Sequence, residues 1–366
     1  MQPRPRMQHL KAASADFIPD NLRGRGASSC FFRLLGMGAT ILSLAACAAS
    51  RTERSVVIYT SVDQVHAEPV LRDFESRSGV QVRAVYDVEA SKTTGLVNRI
   101  IAERERPRAD VFWNGEFAQT LVLAERGLLV AYRSPAAAGL PAGYFDPAGL
   151  WTGLGARFRV ILVNTRLLGD RPAPDSIFDL LDPLWPADRI ALARPLFGTT
   201  ATQAAALYAE LGTEKARDFY EKVRARGVRV ADGNSTVRDL VVAGELIWGL
   251  TDSDDACAAI NRGAPVRMVL PDQDQLGTLL IPGTVAIIAG GPNPETAAEA
   301  VDFLLGLEAE TRLMESGFFQ LSLRDLKLRT DCLPGDRAVR PMTAGLMRMQ
   351  SSFPISQQEL REMFLR

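Results

Sequence analysis

Thr251-Asp252-Ser253-Asp254-Asp255 places three carboxylates within four residues. At that spacing they repel one another unless a cation or a set of donors neutralises them, whereas capping a helix needs only one. Other polar clusters recur along the chain, each just after a short apolar run. Ser61 and Asp63 follow VVIY, Ser91-Lys92-Thr93 follows residues 80–86, and Asn114 and Glu116 follow ADVFW. Thr199 and Thr200 follow RIALAR, and Asn234 and Ser235 follow residues 228–231. Hydroxyls and amides suit hydrogen bonding to a small ligand, Lys92 suits an anionic portion, and the aspartates suit a cationic one. Each cluster also has a plainer reading: Ser, Thr, Asn and Asp are preferred N-caps, Lys92 can be a solvated charge, and Glu116 a first-turn helix acid.

Signatures of catalysis are missing. There is no GxxxxGK[ST], no GxGxxG after a strand, no HExxH and no GxSxG. The chain has 2 His, and His66 falls within the first helical pattern, where it reads as a surface residue. Asp252-Ser253-Asp254 has the DxD form of metal-dependent sugar transferases, so an exported transferase using Asp252 and Asp254 is a rival reading. The expectation is a protein that is not an enzyme.

The clusters sit where two arrays of alternating strands and helices would put them. In the first array, strands at 56–59, 80–86 and 109–113 alternate with helices, the first running to about Ser78 with Gly79 as its stop. In the second, strands at 189–194, 228–231, 246–250 and 266–270 alternate with helical stretches. Such alternation predicts parallel sheets with helices on their faces, and ligands then bind beyond the carboxyl ends of the strands. Two long extended segments, 151–165 and 278–288, flank the second array and read as crossovers between two lobes. The expected lobes are 55–155 plus 281–366, with the C-terminal helices able to pack on the other lobe, and 156–280.

The 366 residues carry 42 Lys+Arg against 43 Asp+Glu, with 47% hydrophobic and 23% charged residues. That balance excludes a disordered chain, a collagen-like chain, a polytopic membrane protein and a nucleic-acid binder of the basic-stripe kind. The first 33 residues hold six basic side chains against two acidic ones, and LLGMGATILSLAA then leads to Cys47. This reads as a secretory signal over 1–46, with an apolar run too short for a membrane span. Leu44-Ala45-Ala46-Cys47 resembles the bacterial lipobox, so Cys47 is the expected lipidation site and 47–54 the tether; a plain signal cut near Ala49 is the alternative. Without 1–46, 36 Lys+Arg face 41 Asp+Glu. Cys257 and Cys332 could pair, but two buried thiols are the expected state.

The order and spacing of YTSVD, YDVEASKTTGLVNRI, ADVFWNGE, WTGLGAR, LFGTT, DGNSTVRDLVVAGE, GLTDSDDA and GTLLIPGTVAII resemble the periplasmic solute-binding proteins of bacterial ABC importers. The resemblance is to their ferric-iron-type branch and covers about residues 56–321. It implies an α/β chain with a type II periplasmic-binding-protein fold, two Rossmann-like lobes joined by crossover strands around a ligand cleft. It also implies a monomeric receptor outside the cytoplasm, handing cargo to a permease and ATPase, touching the membrane only through a lipid anchor and binding no nucleic acid. A receptor serving a sensor kinase is a rival.

The ligand-binding set expected from these readings is Ser61, Asp63, Ser91, Lys92, Thr93, Asn114, Glu116, Thr199, Thr200, Asn234, Ser235, Asp252 and Asp254. Typical ferric-binding members hold iron with adjacent tyrosines where Ser253 and Asp254 stand here, and with a histidine where Asp63 stands; Glu116 keeps their carboxylate. The expected cargo is Fe3+ or an iron chelate on Asp63, Glu116, Asp252 and Asp254, with no tightly bound cofactor. A small organic anion or cation, such as a phosphonate-type solute, is the alternative.

Overall fold

The computed structural model describes residues 54–87, 94–325, 329–335, 339–342 and 345–365. Ser91, Lys92, Thr93, Cys47 and the expected signal segment lie outside the described residues.

The chain begins with β1 (Ser55–Thr60), α1 (Gln64–Ser78), β2 (Gln81–Tyr86), α2 (Thr94–Ala102), β3 (Val111–Asn114), α3 (Ala118–Glu125) and β4 (Leu129–Val130). β5 (Thr152–Asn164) and the single-turn α4 (Thr165–Leu168) lead into β6 (Ile190–Ala193), α5 (Gly198–Leu211), α6 (Thr213–Arg226), β7 (Arg229–Ala231), α7 (Asn234–Val242), β8 (Trp248–Asp252), α8 (Ser253–Asn261) and β9 (Val266–Val269). β10 (Leu280–Ile288), α9 (Pro294–Leu304), α10 (Leu307–Glu315) and α11 (Leu346–Phe364) complete it.

α1 illustrates the local logic. Ala67, Val70, Leu71 and Phe74 recur at helical spacing and are buried, and Gly79, at φ 65°, takes the left-handed conformation that ends the helix, its N–H donating to the Glu75 carbonyl.

The strands follow the order β2-β1-β3-β10-β5-β8-β6-β7, with β4 beside β10 and β9 beside β5. β1, β2 and β3 are mutually parallel, as are β6, β7 and β8. Between these groups run β10 and β5, antiparallel to each other and to their outer neighbours. These are the two expected crossovers, and every residue of β5 is buried. The core divides accordingly. Trp113, Phe318 and Phe319 anchor one cluster beneath β1 and β3, and Trp185 and Trp248 meet edge to face in another beneath β6 and β8.

One expectation is corrected. Cys257 and Cys332 are not two thiols but a disulfide, with Cα atoms 5.6 Å apart. The chain after α10 folds back, with bridges from Leu321 to Ala156 and Arg329, and that return brings Cys332 onto α8.

Candidate functional site

The carboxyl ends of β1, β3, β6, β7 and β8 open onto one cleft, which encloses about 570 Å³ of space continuous with solvent. Its walls include Ser61, Asp63, Gly115 and Glu116 from one group of strands and Thr199, Thr200, Asn234 and Ser235 from the other, with Arg157 of β5 between them. α5, α7 and α8 begin at this cleft, and at none of the three does the N-cap side chain bond the first-turn N–H groups. Their positive ends are therefore presented to whatever occupies the space.

Two buried arginines organise the floor. Arg159 stands directly opposite Asp252 in the β5–β8 ladder. Its Nη1 donates to Asp252 Oδ1 at 2.7 Å and Asn234 Oδ1 at 2.8 Å, and its Nε to Gln203 Oε1 at 3.0 Å. Thr199 Oγ1 donates to Asp252 Oδ2 at 2.6 Å, and Asn234 Nδ2 donates to the same oxygen at 3.0 Å. Burial raises the pKa of Asp252, but Arg159, Arg157 and the Thr199 hydroxyl more than offset it and hold this carboxyl below its usual range. Arg157 Nη1 donates to Asp254 Oδ2 at 2.8 Å, and its Nη2 to the Gly115 carbonyl at 2.8 Å. Burial works against its charge too, yet Asp254 and Asp252 leave the guanidinium more basic than usual. Arg238 Nη1 pairs with Asp255 Oδ1 at 2.8 Å.

On the opposite wall, Ser61 donates to Asn114 Oδ1 at 2.6 Å and accepts the Gly115 N–H at 2.9 Å. Glu116 accepts from Asn114 Nδ2, from the N–H groups of Ala118 and Gln119 that open α3, and from Thr202 Oγ1 of α5 at 2.7 Å. Burial pushes its pKa up, and these donors, Thr202 first, only partly counter the shift.

Residues 107–331 match the family described as bacterial extracellular solute-binding protein. The chain belongs to this family. A relative from Salmonella paratyphi A, which carries the provisional name 2-aminoethylphosphonate-binding periplasmic protein, is 26% identical over 312 residues, 82% of this chain and 87% of its own. The major ferric iron-binding protein of Neisseria meningitidis serogroup A is 23% identical over 282 residues, 75% of this chain and 82% of its own. Among solved structures, iron-bound HitA from Pseudomonas aeruginosa superposes with a TM-score of 0.76 at 21% identity, over 85% of this chain and 99% of that one. The fold is thus the type II periplasmic-binding-protein fold.

In this solute-binding protein the structure gathers Ser61, Asp63, Glu116, Thr199, Thr200, Asn234, Ser235, Asp252 and Asp254 around the cleft. Asn114 is fully buried behind the wall, bonded to Ser61, Glu116 and Thr120, so it braces its neighbours instead of facing the space. One carboxylate oxygen from each of Asp252, Asp254 and Asp255 lies within 4.8 Å of the other two, a spacing that could hold a cation. The self-repulsion of this cluster is nevertheless answered from within, by Arg157, Arg159 and Arg238, and the DxD aspartates are held by the same pairs. Glu116 is likewise spent on α3 and Thr202. His66 takes its plainer role, with Nδ1 3.0 Å from Ser316 Oγ and its ring against Phe318.

The sequence reading missed Arg157 and Arg159. Their signal was present: two arginines at alternate positions in the otherwise apolar ARFRVILV region of an extended segment share one strand face and demand partners when buried.

Proposed function

We propose that this chain is the receptor of an ABC importer for a small organic anion of the phosphonate or phosphate class. One observation carries the reading. Three helix N-termini without N-cap side-chain bonds open on a cleft whose aspartates are already paired with arginines, so the place offered to a ligand favours an anion. In this reading Thr199, Thr200, Asn234, Ser235 and the first-turn N–H groups of α5, α7 and α8 receive the acidic group. Ser61 and Asp63 meet the ligand from the other wall. The 55–155 plus 281–366 and 156–280 portions act as lobes that hinge at β5 and β10 and close on the cargo, and the closed form is what the permease recognises. The chain is exported and held at the membrane by a lipid on Cys47.

The 2-aminoethylphosphonate named for the Salmonella relative fits this chemistry, since its ammonium would suit Asp63 on the other wall. Ferric iron, named for the Neisseria relative, is the second reading, favoured by the carboxylate spacing of Asp252, Asp254 and Asp255. Calorimetric titration separates the two. Saturable binding of 2-aminoethylphosphonate or methylphosphonate, and none of ferric citrate, is the expected result. Stoichiometric ferric binding with no heat from either phosphonate would overturn the proposal.

A further inference from the structure

Among the described residues that line the cleft, two carry a positive charge, Arg157 and Arg194. They are held very differently. Arg157 is 5% exposed and its guanidinium is fixed in the floor, bonded to the Gly115 carbonyl and lying over the Phe318 ring. Arg194 stands just past the end of β6, three residues before the N-cap of α5. Its backbone is pinned, with its N–H donating to the Ala231 carbonyl at 2.9 Å and its carbonyl accepting from Leu196 at 2.8 Å. Its side chain is not. The guanidinium is 31% exposed, and its hydrogen bond is to Asp232 Oδ1 at 3.1 Å, a carboxylate that is itself 82% exposed. Asp232 lies just past the end of β7 and also lines the cleft, two residues before α7 begins. The pair therefore spans the two loops that lead into α5 and α7.

We infer that Arg194 sets the preference of the cleft for a doubly charged phosphonate or phosphate over a singly charged anion of the same shape, and that Asp232 holds it until the ligand arrives. The inference rests on the anion reading above. An ion pair as exposed as this one stabilises little, since water screens it and two mobile side chains must be ordered to make it. A dianion taken out of water between helix N-termini is a stronger partner, because the planar fork of a guanidinium can donate to two of its oxygens at once. The helix ends supply dipoles to any anion. Arg194 adds a whole charge, and a full cation gains more from the second negative charge than the neutral donors around it do.

The test uses methylphosphonate, above its second ionisation, and methanesulfonate, which keeps the tetrahedral shape with one negative charge. Calorimetry reads both against the wild type, R194Q, R194K, D232N and the R194Q/D232N double variant, each checked by a thermal melt. The wild type should favour methylphosphonate. R194Q should lose about ten-fold for methylphosphonate and no more than about three-fold for methanesulfonate. R194K, which keeps the charge without the fork, should fall between R194Q and the wild type. D232N should tighten methylphosphonate about three-fold, and that gain should shrink in the double variant, because the competitor matters only while Arg194 is present. A folded R194Q with wild-type affinity for methylphosphonate, or with equal losses for both probes, overturns the inference. So does a D232N gain that survives in full without Arg194, which would show a field effect in place of competition. Should R194Q fail to fold, D232N decides, and unchanged or weaker methylphosphonate binding overturns it. A wild type that binds neither probe removes the anion reading and this inference together; a wild type that binds methylphosphonate beside an R194Q of unchanged preference removes the inference alone.

Discussion

Glu116 and Asp252 are both buried carboxylates on this cleft, and the structure shifts them in opposite directions. The difference lies in their partners. Asp252 faces two guanidinium groups, whereas Glu116 is met by neutral donors that offset burial only in part. Because the folded pKa of Glu116 is raised, its favourable contribution to stability is complete below the ordinary glutamate value and is lost as pH rises through the folded one. Glu116→Gln cannot ionise and should escape that loss. The melting temperature of the variant relative to wild type should therefore climb between pH 4.5 and 8, and a difference flat in pH would contradict the shift. Asp252 has the opposite sign: its contribution is present above the ordinary aspartate value and disappears as pH falls through its depressed one. Neither direction was legible in the sequence: Arg159, which decides Asp252, lies 93 residues away, and Glu116 is decided by its burial in the folded chain, which the Thr202 hydroxyl 86 residues away only partly offsets.

Among the elements, β5 does most to place these residues, and it does so through an irregularity. Leu154 pairs with Gly283, but Ala156 pairs with Pro282, so Gly155 is an extra residue in the ladder. Such a bulge shifts the alternation by one, and without it Arg157 and Arg159 would point to the opposite face of the sheet. Gly155 sits at φ 48°, and a Cβ there would come within 2.2 Å of Phe319. Gly155→Ala should consequently lose roughly 3 kcal/mol of stability or more, from backbone strain and overpacking together; the shift in denaturant midpoint measures it. The existence of β5 and β10, and the stop of α1 at Gly79, could be read from apolar runs and a glycine. The bulge could not, since Gly153 and Gly155 look equivalent in TGLGAR, and the positive φ of Gly155 and its packing against Phe319 appear only in the folded chain.

At the scale of the molecule, the sheet order joins two parallel groups through antiparallel β5 and β10, and later segments tie the groups together. α11 sets Met349 and Phe353 into the cluster holding Leu121 of α3 and Ala205 of α5, and Leu360 and Met363 into the one holding Phe219 and Tyr220 of α6. The disulfide pins α8 to the returning chain across a separation of 75 residues. Closing a loop of that length should contribute about 4 kcal/mol by restricting the unfolded chain. The C257A/C332A variant is accordingly expected to lose about that much in a denaturant titration, and dithiothreitol should weaken the wild type while leaving the variant unmoved. The two arrays were legible because alternating strands and helices leave a local pattern. The cysteine pairing was not, because it depends on how the chain after α10 returns to α8.

The pairing of β3 with β10 joins residues more than 150 positions apart, and Ser253 at the start of α8 donates to Gln320 still further along. Long-range pairing of this kind makes folding slow, since the entropy of closing such loops is lost before the contacts repay it. A ribosome that has released the chain only as far as α8 has therefore not yet made β10, the strand that pairs with β3. The binding surface comes into being only after β10 has emerged, so a chain kept extended until then has no cleft in which to take up cargo.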